Sequence, residues 1–256
     1  MRRTIRMAPL SFFFCSVCAC LLSVQSPGPA RSDSKSPSTG NTLSDQERKD
    51  GWKLLFDGKT SNGWRKYKSD RMPDKWKVTD GALVFDPNAD GSGGDIVTVD
   101  EYDDFEFVAD WKISPNGNSG VMYHVTEDGE YPWQSGPEYQ LLDNAGHADG
   151  RNPLTTAASC YALYAPSKDV TKPVGDWNSM RLVVNGPHVE HWLNGVKVAE
   201  YKIGGKDWKK RVQQSKFNSM PNFAKAVKGH IDLQDHGDRV EFRNLKIRPL
   251  PRSDNK

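Results

Sequence analysis

Between Gly229 and Ile247 the chain reads GHIDLQDHGDRVEFRNLKI, with His230, Asp232, Gln234 and His236 at every second position. That spacing puts their side chains on one face of a β-strand. Imidazole and carboxylate groups side by side can move protons, and a Gln amide can hold hydroxyl groups. A second run, Glu138-Tyr139-Gln140-Leu141-Leu142-Asp143, has the same character. Tyr139 and Leu141 suit a core, so Glu138 and Gln140 turn away from it and Asp143 closes the strand. Carboxylates and histidines on adjacent strands also suit calcium or another divalent ion, and Asp143, Asp232 and Asp235 form a candidate ligand set. Ordinary roles compete: a surface ion pair for Glu138, a backbone-bonded turn beside Gly237 for His236, a structural place for His230, and solvated loop acids for the Asp set.

Aromatic rings offer platforms on which an apolar ligand face can stack. Trp133, in Tyr131-Pro132-Trp133, lies in a loop just before the Glu138 strand and is the preferred platform. Asn118, Tyr123 and His124 lie on or beside the strand that precedes this loop. Trp52, Trp64, Trp111, Trp177 and Trp192 fall in or near regular strand patterns and are expected to pack. Cys160 sits in an apolar run without an activating neighbour, which fits a small buried hydrophobe. There is no phosphate loop, dinucleotide fingerprint or zinc spacing.

The elements that must position these residues are strands. Phe105, Phe107, Ala109, Trp111 and Ile113 share one face of Asp104–Ile113, a period of two that a helix would scatter. Further strands are expected at Trp52–Phe56, Lys75–Val78, Ala82–Phe85, Val121–Val125, Glu138–Leu142, Ser159–Tyr164, Asn178–Val184, His188–Leu193 and Val196–Tyr201. Thr79-Asp80-Gly81 and Asn194-Gly195 read as hairpin turns. The one plausible helix is short, around Lys206–Lys216. After the Gly237 turn, Val240 and Phe242 face inward, but the next apolar pair is Leu245 and Ile247. One extra residue near Arg243-Asn244 would switch the parity, which predicts a β-bulge. Many antiparallel strands with few helices make an all-β, two-sheet sandwich.

Of the 256 residues, 36% are hydrophobic and 27% charged, the balance of a globular rather than a disordered chain. Arg2, Arg3 and Arg6 precede an apolar run from Pro9 to Val24, and small residues follow at Gly28-Pro29-Ala30. This is the layout of a signal peptide over residues 1–30, and the run is short for a membrane span. Val17-Cys18-Ala19-Cys20 loosely resembles a lipid-attachment box, but Leu21, Leu22 and Val24 carry the apolar run past Cys20, which favours export to the periplasm or beyond over a lipid anchor. Cleavage lowers Lys and Arg from 35 to 32 against 33 Asp and Glu, so the net charge moves from +2 to −1. No basic surface for nucleic acid follows, and the mature form has no stable membrane embedding. It keeps Cys160 alone, so no internal disulfide forms. Residues 31–50, rich in Ser, Pro, Gly and Asn, read as a flexible linker. Residues 51–250 form the domain and 251–256 a tail.

Five blocks in order, LFDGKTSNGW (Leu55–Trp64), NSGVMYHV (Asn118–Val125), GPEYQLLDN (Gly136–Asn144), DWNSMRLVVNGPHVEHWLNGVKVAEY (Asp176–Tyr201) and GHIDLQDHGDRVEFRNLKI, resemble the 3-keto-disaccharide hydrolase family over nearly all of Gly51–Leu250. The resemblance implies a concanavalin-A-like jelly roll, related to laminin-G domains and β-jelly-roll glucanases, in an exported bacterial protein acting on sugars oxidised at C3. The ketone acidifies the C2 hydrogen. A general base removes it, the C1 substituent leaves from the enolate, and water then adds for net hydrolysis. No pair of carboxylates flanking an oxocarbenium ion is needed, and no Glu-x-Asp-x-x-Glu glucanase pattern is present.

The resemblance further implies that the Glu138 strand and the His230–His236 strand share one concave sheet. Glu138 and His236 are then the expected acid/base pair. Asn118, Tyr123, His124, Trp133, Gln140, Asp143 and Gln234 are expected around the sugar. No cofactor is required, although a divalent metal could polarise the ketone. A non-catalytic carbohydrate-binding module and a laminin-G-type interaction domain are the competing functions of the same fold.

Overall fold

Alternation makes each strand two-faced, and the computed structural model of residues 40–251 buries the apolar faces between two antiparallel sheets. In chain order the strands are β1 (Lys53–Leu54), β2 (Trp64–Lys66), β3 (Trp76–Thr79), β4 (Ala82–Phe85), β5 (Ile96–Thr98), β6 (Phe105–Ile113) and β7 (Asn118–Val125). They continue with β8 (Glu138–Leu142), β9 (Asn178–Asn185), β10 (His188–Leu193), β11 (Val196–Lys202), β12 (His230–Leu233) and β13 (Val240–Pro249). The eight-stranded sheet runs β11-β10-β9-β6-β13-β4-β3, with β1 paired to β13. The five-stranded sheet runs β2-β5-β12-β7-β8. This is the all-β antiparallel sandwich that the alternation called for.

Phe105, Phe107, Ala109, Trp111 and Ile113 of β6 meet Val121, Tyr123, Tyr139, Leu141, Ile231 and Leu233 of the smaller sheet in one core. On the outer face of the larger sheet every acid of the central strands has a cation. Glu106 bonds Arg181 and Arg248, Asp110 bonds Arg243, and Glu241 bonds Lys112 and Arg239.

The turn chemistry holds. Asp80-Gly81 and Asn194-Gly195 have φ of 51° and 74°, and 50° and 79°, as two-residue hairpins need. The register of β13 against β6 shifts between Arg243 and Lys246, with Asn244 at φ 56°, which is the expected bulge. The helix α2 spans Lys206–Gln213.

Three expectations change. Residues 40–50 are not a flexible linker. Asn41 donates to the Gly81 carbonyl and accepts from the Asn244 amide, and helix α1 (Asp45–Lys49), closed by a Ser44/Glu47 capping box, places Glu47 against the fully buried Lys246. Ser159–Tyr164 is not a strand, because Ala158 and Ala162 adopt left-handed φ of 66° and 59° and turn the chain on either side of Cys160. The short strands β2 and β5 were not expected; β5, with all three residues buried, lacks a polar face to reveal its period. The signal peptide, the lipid-box reading and the end of the tail concern residues 1–39 and 252–256, outside the described residues. Among those described, no helix is long and apolar enough to cross a membrane.

Candidate active site

The ladder of the five-stranded sheet aligns Glu138 of β8 with Met122 of β7, Met122 with Asp232 of β12, and Asp232 with Val97 of β5. Directly opposed residues share a face. Since Tyr139, Leu141, Ile231 and Leu233 point into the core, Glu138 and Asp232 point out of it. In the next row Gln140 opposes Gly120, whose carbonyl accepts the Gln234 N–H at 3.0 Å. A Cβ on Gly120 would stand 2.9 Å from the Glu138 carboxyl carbon and closer still to its Oε1, so this carboxyl lies folded over the glycine.

Around it the hydrogen bonds do not close. Asp232 is fully buried and neither carboxyl oxygen has a partner among the described residues. Oε1 of Gln140, Oε1 of Gln234 and Oδ1 of Asn118 are buried and equally unmet. Gln140 donates Nε2 to the Thr155 carbonyl at 3.3 Å, which fixes its oxygen as the unmet atom. Buried acceptors of this kind are costly unless something fills them. A polyhydroxylated ligand supplies the matching O–H donors.

The electrostatics agree. Burial pushes the Glu138 carboxyl up to about 8; Lys216 opposes the rise, and the charges of Asp95 and Asp149 add to it. Burial also lifts Asp95, two residues before Val97, to about 7, against the Asp235 amide that bonds it and with the Asp235 charge. Asp232 is raised well above the usual range by burial, Asp95 and Glu138. Unlike the paired acids of the other sheet, these three share a region with little to neutralise them.

Trp133 belongs to the same face. It packs on the outward cluster of Tyr67, Val97, Met122 and Val125, and stacks on Tyr131 with ring centroids 5.3 Å apart. From the other side the Tyr161 N–H donates to the Glu138 carbonyl at 3.1 Å, and the Tyr161 hydroxyl donates to Asp149.

Other expected site residues lie elsewhere. Tyr123 is in the core, its hydroxyl 2.8 Å from that of Tyr201. His124 has φ 53°, and this irregularity exchanges the faces of two neighbours: His124 turns inward onto Phe105 and the Asp103 carbonyl, while Val125 turns out to the Trp133 cluster. Asp143 spends its carboxylate on the amides of Asn116, Ala145 and Gly146; burial would raise its pKa, but these bonds hold it low. Asp235 likewise accepts from Gly94 and Gly237, and among the described residues the Asp143, Asp232 and Asp235 carboxylates do not converge as metal ligands would. His236 is exposed beyond the end of β12, with its ring 6.4 Å from that of His147. Strand β7 lies between β12, which His236 follows, and β8, which carries Glu138, so the two come from strands that are not neighbours.

Among the described residues, the His, Asp and Glu side chains that converge as metal ligands would are His188, Glu190 and Glu200, on the β10–β11 hairpin of the other sheet. Lys197 already bridges the two glutamates. Cavities of about 240 Å³ beside Asp143 and about 250 Å³ beside Trp177 touch neither Glu138 nor Asp232.

The profile of the 3-keto-alpha-glucoside-1,2-lyase-like domain matches residues 51–248. The chain belongs to this family. A 3-keto-disaccharide hydrolase of Bacteroides thetaiotaomicron is 37% identical over 230 residues, covering 78% of this chain and 79% of that protein. The crystal structure of a candidate glycosyl hydrolase from Parabacteroides distasonis is 36% identical with a TM-score of 0.76, covering 82% of this chain and 99% of that one. A second from that organism is 29% identical with a TM-score of 0.59. Family membership makes the chain a glycoside-cleaving enzyme, and the outer face of the five-stranded sheet is where its sequence gathers unmet polar groups.

Proposed function

We propose that the enzyme cleaves 3-keto-glycosides, including 3-keto-disaccharides, with Glu138 as the base that takes the C2 proton. The observation that carries this is the Glu138 carboxyl itself, folded over Gly120 and raised to about 8 among acceptors that lack donors. A carboxylate of such basicity suits an acidified C–H bond far better than an ordinary glutamate does. The Glu138 carboxylate forms a bond to the C2 hydrogen, and the C2–H pair becomes the enolate of the C3 ketone. The C1 substituent then departs with the C1–O pair and takes a proton from water, leaving a C1–C2 double bond; hydroxide from that water bonds C1, the Glu138 proton returns to C2, and the net result is hydrolysis.

Asn118, Gln140, Gln234 and Asp232 accept hydroxyl donors of the sugar, and Trp133 faces its ring. The scheme uses the chain's own residues and calls for no cofactor. The name of the Bacteroides relative supports the substrate class. Export to the periplasm or the medium follows from the basic start and apolar run of residues 1–30; N-terminal sequencing of protein from fractionated cells tests it, and an intact Met1 would count against it.

A 3-keto-glucoside with a chromogenic aglycone tests the activity. The wild type releases the chromophore, and Glu138→Gln lowers release by roughly 100-fold or more while still binding the sugar. Binding without release by the wild type would make the domain a carbohydrate-binding module instead.

A further inference from the structure

Glu138 accounts for the proton, but an elimination also creates negative charge on the C3 oxygen, and the outer face is lined by acceptors. The chain that crosses from β11 to β12 brings a cation there. It runs through α2 into a short turn, Lys216–Ser219. The Lys216 ammonium lies 4.5 Å from the centre of the Tyr161 ring, 5.3 Å from that of Phe217 and 5.7 Å from that of Trp133. Tyr161 is bonded through its backbone to Glu138, and Trp133 packs on the cluster that includes Met122, the residue opposite both Glu138 and Asp232. Two of the rings that hold Lys216 thus belong to the neighbourhood of Glu138, and the Lys216 charge acts on the Glu138 carboxyl.

The placement is unusual for a solvated lysine. Lys216 is an exposed residue with no carboxylate within ion-pair distance among the described residues, yet three rings define its position. An ammonium over aromatic faces keeps its charge and its N–H donors free on the remaining side. The nearby cation Arg65 is committed to Glu127 through two hydrogen bonds.

We propose that Lys216 is a catalytic residue whose ammonium pairs with the C3 oxygen as it becomes an enolate, an inference that rests on the 3-keto-glycoside reading above. As Glu138 takes the C2 proton, the electron pair moves into the C2–C3 bond and onto oxygen beside Nζ. The negative charge leaves the C3 oxygen again when C1–O breaks and the leaving group carries it off. A fixed cation aimed at charge that exists only in the transition state lowers the barrier directly. Before reaction the same charge opposes those of Asp95 and Asp149 around Glu138, while Asp232, the Tyr161 hydroxyl and the Cys160 thiol are the titratable groups that feel the Glu138 charge.

Lys216→Met keeps the stem on the rings and removes the charge; Lys216→Arg keeps the charge. Three readouts separate catalysis from packing: kcat for chromophore release, its pH profile, and deuterium uptake at C2 of an unactivated 3-keto-glucoside in heavy water. Lys216→Met is expected to lose roughly 100-fold in kcat, to lose C2 exchange in parallel, and to shift the acid limb of its profile to higher pH. Lys216→Arg is expected to recover most of both rates. Thermal unfolding of both variants at the wild-type temperature verifies the fold. Wild-type kcat and exchange in Lys216→Met, or Lys216→Arg no better than Lys216→Met, would overturn the assignment. Failure of the wild type to exchange or release would instead overturn the 3-keto-glycoside reading itself.

Discussion

Gly120 and Glu138 occupy what would otherwise be one site: a Cβ at position 120 would stand 2.3 Å from Glu138 Oε1. The glycine is not there for its backbone freedom, because its φ is not in the left-handed region. It is there for its missing side chain. Gly120→Ala forces the carboxyl off the floor of the site. Since a misplacement of about 1 Å can cost roughly 100-fold in rate, the expected outcome is a fall in kcat of that order with a near-normal unfolding temperature. Chromophore release and thermal melts on the same preparation check it.

The pH profile of kcat/KM reports the free base. Burial holds Glu138 near 8, so only about a tenth is ionised at pH 7. Below pH 8 the rate should fall about tenfold per unit as the base is protonated, and it should level off above. A profile flat from pH 6 to 9 would remove Glu138 from the proton transfer.

The same group leaves a mark on stability. Its folded pKa of about 8 lies above its ordinary value of 4.5. Between those values the unfolded chain releases a proton that the folded chain keeps, so its favourable contribution is complete below pH 4.5 and is lost as pH rises through about 8. The slope is at most about 1.4 kcal/mol per pH unit for this group. Asp95 adds to the fall between 3.8 and about 7. Glu138→Gln should therefore melt higher than the wild type at pH 8, with the gap closing towards pH 5. Differential scanning calorimetry across that range measures it.

Residues 40–50 belong to the fold. Lys246 is fully buried and bonds Glu47 at 2.7 Å. Glu47→Ala removes this carboxylate from beside the buried Lys246, and the expected loss is about 3 kcal/mol by the usual cost of breaking a buried pair. A chain beginning at Gly51, where the family match starts, should lose at least as much, since it also lacks the Asn41 bonds to Gly81 and Asn244. Urea unfolding of both checks this.

Metal removal should leave turnover intact. Asp143 and Asp235 are committed to backbone amides, and the scheme draws its positive charge from Lys216. Release rates before and after exhaustive chelation are expected to agree; a loss restored by added calcium or another divalent ion would call for a metal in the site.

Much of this was legible because strand parity leaves little choice. Once Tyr139, Leu141, Ile231 and Leu233 are assigned to the core, Glu138, Gln140, Asp232 and Gln234 have to face outward. Parity fails where the strand does. His124 lies at an irregularity that exchanges faces, and His236 lies past the end of β12, so neither follows the alternation of its neighbours. Lys216 carried no signal at all: it comes from a crossover segment, and only the fold brings it over Tyr161 and Trp133. Asp95 was hidden because the three-residue strand after it is buried on both faces. The blocks of sequence that identify the family do contain Gly120, but its significance depends on where the Glu138 side chain lies.

The central claim is that cleavage begins with loss of the C2 hydrogen to Glu138. The most direct measurement compares chromophore release from a 3-keto-glucoside carrying hydrogen or deuterium at C2, under single turnover, with wild type and Glu138→Gln. Slower release from the deuterated sugar by the wild type, with both substrates nearly inert towards Glu138→Gln, is the expected result. Equal rates for the two sugars together with substantial release by Glu138→Gln would contradict it.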